Sequence, residues 1–128
     1  MKGQVAIEFM IIFIFMLLLM IGAVAIANKK TLETHSETMD LEAEKVLYKA
    51  SSAVNTAYIE GDGFGLNFVL PEGISGTDYS INISSNAMWL SLGAKTYAGD
   101  LLTDDIAGEM VYGANTVENR GGIVYVNP

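Results

Sequence analysis

The sequence predicts an α+β protein: a long N-terminal α-helix, apolar and then amphipathic, packed on a small C-terminal antiparallel β-sheet head. Three observations predict it. A run free of charged and amide side chains fills Phe9 to Ala27. Apolar residues then recur at spacings of three and four from Met39 to Ala57. Beyond Gly61-Asp62-Gly63-Phe64-Gly65 the apolar period falls to two, the repeat of a strand rather than a helix.

The first element is the run FMIIFIFMLLLMIGAVAIA, nineteen residues long. As a helix it rises roughly 28 Å, close to the bilayer core of about 30 Å. It is apolar on every side, so it cannot be a surface helix of a water-soluble monomer. It must sit in lipid, sit among copies of itself, or be removed. Val5, Ala6 and Ile7 extend it beyond Glu8, so residues 4–27 form one apolar segment. Residues 28–60 contain no Gly and no Pro. There Met39, Ala43, Val46, Ala50, Ala53 and Ala57 draw one stripe, widened by Leu47, Val54 and Tyr58. Nothing at 28–30 stops a helix, so one rod from Gln4 to Glu60 is expected, about 85 Å long at 1.5 Å per residue. Gly22 is its one flexible point, costing about 1 kcal/mol against Ala.

Alternate glycines at 61, 63 and 65 end the rod. Residues 61–128 then read as the β-rich head. Tyr79, Ile81 and Ile83 alternate with Ser80, Asn82 and Ser84; Met88, Leu90 and Leu92 alternate with Trp89 and Ser91; Ile123 to Val126 is a short β-branched and aromatic run. Turn signals lie at Pro71-Glu72-Gly73, Ser75-Gly76, Ala98-Gly99-Asp100, Tyr112-Gly113 and Arg120-Gly121-Gly122. Four to six short antiparallel strands are expected, in one thin sheet whose apolar face is covered by the helix stripe.

Composition narrows the function. The chain has 128 residues and a net charge of −8, with seven basic against fifteen acidic residues. A phosphate-tracking protein needs the opposite sign, so no nucleic-acid partner is expected. Residues 61–128 hold eight acidic and two basic side chains, net −6, and residues 28–60 six and four, net −2. There is no cysteine and one histidine, which excludes disulfides, thiolate chemistry and a His-pair zinc site; no metal and no cofactor is expected. Asp62, Asp100, Asp104 and Asp105 follow no calcium-loop spacing. Gly61, Gly63 and Gly65 precede no GK[ST] and form no phosphate loop. His35, in the polar part of the rod, reads as solvated. Paired-carboxylate chemistry needs a cleft that a thin covered sheet does not provide, so no catalytic residue is assigned and an enzyme is not expected.

The first eight residues, Met-Lys-Gly-Gln-Val-Ala-Ile-Glu, combine a charged stub, a glycine and a glutamate set in an apolar helix. A carboxylate in hydrocarbon costs about 2.5–3.5 kcal/mol on insertion scales. Glu8 therefore either reaches water at the membrane border or has a functional partner. Lys-Gly followed by QVAIEFMII resembles the processing site of archaeal type IV pilin precursors, which carry a class III signal peptide and a Q-x-S-x-E-x-x-x-L pattern. Gln4 and Glu8 match that pattern, while Ala6 stands for its Ser and Ile12 for its Leu. The wider order of apolar helix, amphipathic helix and β-rich head is similar to the pilin fold over the whole chain.

The resemblance implies a leader, residues 1–3, cut by a prepilin peptidase between Gly3 and Gln4. It implies assembly with identical or related subunits, through Gln4, Glu8 and Ile12, on a pilus assembly platform. The new amine of Gln4 would lie one helical turn from Glu8, and pairing between subunits would set their axial register. An N-terminal Gln can also cyclise, and Glu8 would then need a donor or a proton. The implied function is a structural subunit of a surface filament for attachment or cell–cell contact. The implied location is the cell membrane, single-pass with a cytoplasmic N-terminus, before assembly, and an extracellular pilus after it. Positive charges are tied across the segment, Lys2 on one side and Lys29 with Lys30 on the other, so the orientation rests on the leader and the acidic head.

Three other readings stand beside it. Ala25-Ile26-Ala27 before Asn28 is a signal-peptide cleavage sequence that would release a secreted acidic domain, 28–128. A plain single-pass anchor would display the head without assembly. An archaellin, the motility filament subunit, shares the apolar helix. Asn82-Ile83-Ser84 is the one N-x-[ST] sequon and makes Asn82 a candidate N-glycosylation site on the polar side of a strand. Trp89 and the six tyrosines are expected in core and inter-subunit packing.

Overall fold

The computed structural model describes residues 1–128, the side chain of Lys2 excepted. Helix α1 spans Lys2–Glu60 without a break. Seven strands follow: β1 Gly65–Leu70, β2 Tyr79–Ser84, β3 Ala87–Leu92, β4 Lys95–Asp100, β5 Ile106–Gly108, β6 Gly113–Arg120 and β7 Ile123–Val126. The chain divides into two compact units, Met1–Thr38 and Met39–Pro128.

The first unit is the N-terminal part of α1, through Thr38. Its polar end carries local bonds: the Thr31, Thr34 and Thr38 hydroxyls donate to the carbonyls of Ala27, Lys30 and Thr34 at 3.0, 2.9 and 2.9 Å. Such i−4 bonds share carbonyls already used by the helix and tend to bend it slightly rather than stiffen it. Lys29 and Glu33 stand 3.9 Å apart at i,i+4, an exposed pair of small energetic weight.

In the second unit α1 lies against two sheets, one in the order β1-β6-β7-β5 and the other β2-β3-β4. Ala43, Val46, Leu47, Ala50, Ala53, Val54 and Ala57 face inward and are buried with Leu70, Met88, Leu90, Val117, Val124 and Val126 from the strands. The alanines let strands approach the helix closely, and Leu47 and Val54 fill the space between. The helix stops at Glu60 because Gly61 takes a positive φ of 88°, the left-handed conformation that closes a helix end.

Three sequence expectations change. First, the thin antiparallel sheet of four to six strands is two sheets with seven strands, and β5 pairs with β7 in parallel. The stripe on α1 is broad enough to cover two narrow sheets, and the three-residue β5 carries too little sequence for a period to register. Second, Ala98-Gly99-Asp100, expected as a turn, lies inside β4. A Cβ built on Gly99 would stand 3.2 Å from Leu47 Cγ, so the glycine serves a close helix–strand approach and not a bend. Third, Tyr58 is 40% exposed and Trp89 41% exposed, so neither belongs to the core.

Candidate functional site

The N-terminal site residues all fall on the exposed surface of α1. Gly3, Gln4, Glu8 and Ile12 are exposed, and Gln4, Glu8 and Ile12 follow at i, i+4 and i+8, successive turns of one helix face. Among the described residues Glu8 has neither hydrogen bond nor ion pair within the chain. A Cβ at Gly3 or at Gly22 would meet nothing within 4 Å, so neither glycine is required by packing inside the chain.

The surface around them is apolar throughout. Seventeen large apolar side chains between Val5 and Ile26 are 43% to 68% exposed. Phe9 and Phe13, one turn apart, stack with ring centroids 6.5 Å apart. Monomeric soluble proteins rarely expose a contiguous apolar patch beyond a few hundred Å², and this one encircles α1 for six turns. By length and composition the helix is able to cross a membrane, a property it shares with signal sequences.

The head has no comparable feature. Two open grooves of about 400 and 430 Å³ flank α1, one lined by Leu47, Tyr48, Asn55 and Tyr97, the other by Val46, Lys49, Pro71 and Ile74. No group of three metal-ligating side chains gathers among the described residues. Bonds of the four aspartates serve the fold. Asp62 Oδ1 accepts the Gly121 N–H at 2.6 Å. The Asp100 carbonyl accepts Asn55 Nδ2 at 3.1 Å, and the carbonyls of Asp104 and Asp105 accept the N–H groups of Ile106 and Val124, each at 2.9 Å. Asn82 is exposed on β2, directly across from Trp89 on β3, with Ser84 exposed two residues on. His35 is exposed on α1.

The polar groups that do gather hold the head to its helix. Lys95 Nζ donates to both Asp40 oxygens at 2.6 and 2.9 Å, and the Tyr97 hydroxyl donates to Oδ1 at 2.5 Å. These bonds hold the Asp40 carboxyl below its ordinary range, and the same carboxylate pushes the Tyr97 hydroxyl up to about 12. Asn119, 1% exposed, donates from Nδ2 to the Ala57 carbonyl at 2.9 Å and accepts the Gly122 N–H at 3.0 Å. Asn115, equally buried, accepts the Val111 N–H and donates to the carbonyls of Val111 and Gly113. None of Asp40, Asn55, Asn115 or Asn119 stands out in the sequence. The one signal it carries for them is the alternation of Asn115, Val117 and Asn119 on β6, which puts two amides on the face that carries an apolar residue.

No protein family, characterised protein or solved structure matches this chain. The class it falls in is defined by the order of its elements: a long N-terminal apolar helix followed by small β-sheets, a pilin-like architecture.

Proposed function

We propose that the chain is the structural subunit of a type IV pilus-like surface filament and has no catalytic role. A prepilin peptidase cuts between Gly3 and Gln4, the apolar segment 4–27 holds the subunit in the membrane, and an assembly platform draws it into a polymer. Copies of the segment then pack against one another, with Glu8 paired to the amine of Gln4 on a neighbour, and the β-rich heads face outward for attachment.

One observation carries the reading: the apolar surface from Val5 to Ile26 has no partner within the chain. Complete burial of a large apolar side chain contributes about 1.5–3 kcal/mol. These side chains are about half exposed, so the burial still open to them is on the order of 20 kcal/mol, more than the whole stability of a typical domain. Lipid meets that demand before assembly and sister helices after it. Gly22, Ala23, Ala25 and Ala27 allow close approach in the second setting.

The test is the N-terminus of the native protein, read by mass spectrometry, together with electron microscopy of the cell surface. A chain beginning at Gln4 within filaments supports the proposal. A chain beginning at Asn28 makes it a secreted domain, and one beginning at Met1 with no polymer makes it a plain anchor.

A further inference from the structure

The outward face of the β2-β3-β4 sheet is turned away from the core. Inward-pointing Tyr79, Met88, Leu90 and Leu92 are buried in the core. The register lines up the outward residues in rows across the strands: Asn82, Trp89 and Ala98 in one, Ser80, Ser91 and Thr96 in the next. All six are exposed. Trp89, the one tryptophan of the chain, is 41% exposed at the middle of its row. Among the described residues neither the indole N–H nor the side-chain amide and hydroxyls beside it have a hydrogen-bond partner within the chain.

Charge is missing from this face. The head carries net −6, yet Asp100, at one corner, is the one charged side chain among the outward positions of the three strands. Lys95, the other charge on these strands, binds Asp40 of α1. We propose that the face docks a neutral polysaccharide, with Trp89 as the stacking platform and the flanking amide and hydroxyls as hydrogen-bond partners.

Two arguments select that occupant. An uncharged window in an anionic head offers nothing to nucleic acid, anionic lipid or a basic protein, whereas an aromatic ring among uncharged donors and acceptors suits a pyranose, which has an apolar ring face and a hydroxyl rim. Area excludes a stable pairing with a second copy. Three strands about 4.8 Å apart and six residues long make a face of about 14 by 20 Å, roughly a third of the 800 Å² per partner of a standard interface. That suffices for a short run of sugar rings held weakly. In a filament, many copies would convert weak sites into firm attachment through effective concentration. This last step rests on the filament reading; the site itself does not.

The test uses the full chain dispersed in a detergent without a sugar headgroup. Its tryptophan emission reports on Trp89 alone. Cellohexaose, chitohexaose and mannohexaose are titrated, with oligogalacturonate as the anionic control. The expected result is a saturable emission shift with at least one neutral oligosaccharide, half-saturating at about 1–10 mM, and none with the control. Saturation-transfer NMR on that sugar should lose its signal with Trp89→Ala and keep it with Trp89→Phe. Silence from all three sugars, or an equal response to the anionic control, overturns the proposal. So does a sugar already attached to Asn82 whose removal shifts the emission, since the chain would then cover its own platform. Filament formation is scored separately on the parent chain, so that a failure to bind sugar and a failure to polymerise are told apart.

Discussion

Asn119 offers the sharpest test of how the head is held to its helix. The carbonyl of Ala57 lies in the last turn of α1, where helical carbonyls lack an i+4 partner, and the Asn119 amide supplies one at 2.9 Å. The other end of the same side chain accepts the Gly122 N–H at 3.0 Å in the β6–β7 turn. Asn119→Ala therefore strands the Ala57 acceptor in a pocket where the native side chain is 1% exposed, and leaves the Gly122 N–H, in an exposed turn, to water. A buried group left unpaired costs about 1–3 kcal/mol, so the expected loss is about 1–3 kcal/mol. That is a large share of the 5–15 kcal/mol typical of a domain. Asn119→Asp keeps the acceptor for Gly122 but turns a carboxylate toward the Ala57 carbonyl, and should lose at least as much. The assay is urea unfolding followed by the emission of Trp89, which lies in the head. A loss below about 0.5 kcal/mol in the alanine variant, within the range of ordinary surface substitutions, would refute the clamp and with it the idea that a buried amide fastens the helix end to the strands.

Other outcomes follow from the same structure. Glu8→Ala should leave membrane insertion intact, since it removes a cost of about 2.5–3.5 kcal/mol in hydrocarbon, yet impair filament assembly; normal filaments on the cell surface would sink the pairing with Gln4. Gly3→Val should leave an uncut precursor in the membrane, seen as an intact mass that retains residues 1–3. The tyrosine contact has an alkaline signature. Tyr97 is raised to about 12 from 10.0 chiefly by its bond to Asp40, so its contribution is whole below about pH 10 and lost as pH rises from 10 towards 12. Asp40 is lowered, so its contribution is present above the unfolded carboxyl value and lost as pH falls through the depressed one. Tyr97→Phe should remove the part of the alkaline fall in stability that Tyr97 contributes, read from unfolding midpoints across pH; an unchanged alkaline limb contradicts the assignment.

What the sequence disclosed depended on how long each pattern persisted. The helix was legible over its whole length because two different signals, an unbroken apolar run and a stripe at three and four, met without a stop between them. Strands β2, β3 and β7 were legible because Tyr79, Ile81 and Ile83, then Met88, Leu90 and Leu92, then Ile123 to Val126 keep a clean pattern. Strand β4 was not, since Gly99 reads as a turn until Leu47 is found against it. Nor was the split into two sheets, because alternation tells a strand's inner face from its outer one but not which partner it pairs with. The face of Trp89 is legible from the same period. Its alternation with Met88 and Leu90 places it outward, which removes the core half of the expectation for Trp89 and leaves the inter-subunit half open. Asn115 and Asn119 lay beyond reach, because a buried amide becomes intelligible only when the backbone groups it satisfies are in place.

The two halves of α1 raise different burial problems, and the difference bears on function. In residues 43–57 the apolar groups occupy one face and the head sheets bury them; the folded chain completes that burial by itself. In residues 5–26 the apolar groups occupy every face and the chain buries none of them. A sequence under pressure only to fold would have no use for the second pattern, which leaves on the order of 20 kcal/mol of burial unclaimed. A plain lipid anchor would account for the hydrophobicity and would need Glu8 to reach water at the membrane border, since a carboxylate in hydrocarbon costs about 2.5–3.5 kcal/mol; among the described residues it has no partner in the chain. Under the filament reading proposed above, the apolar surface exchanges lipid for neighbours, and Glu8 there meets a positive charge on one of them.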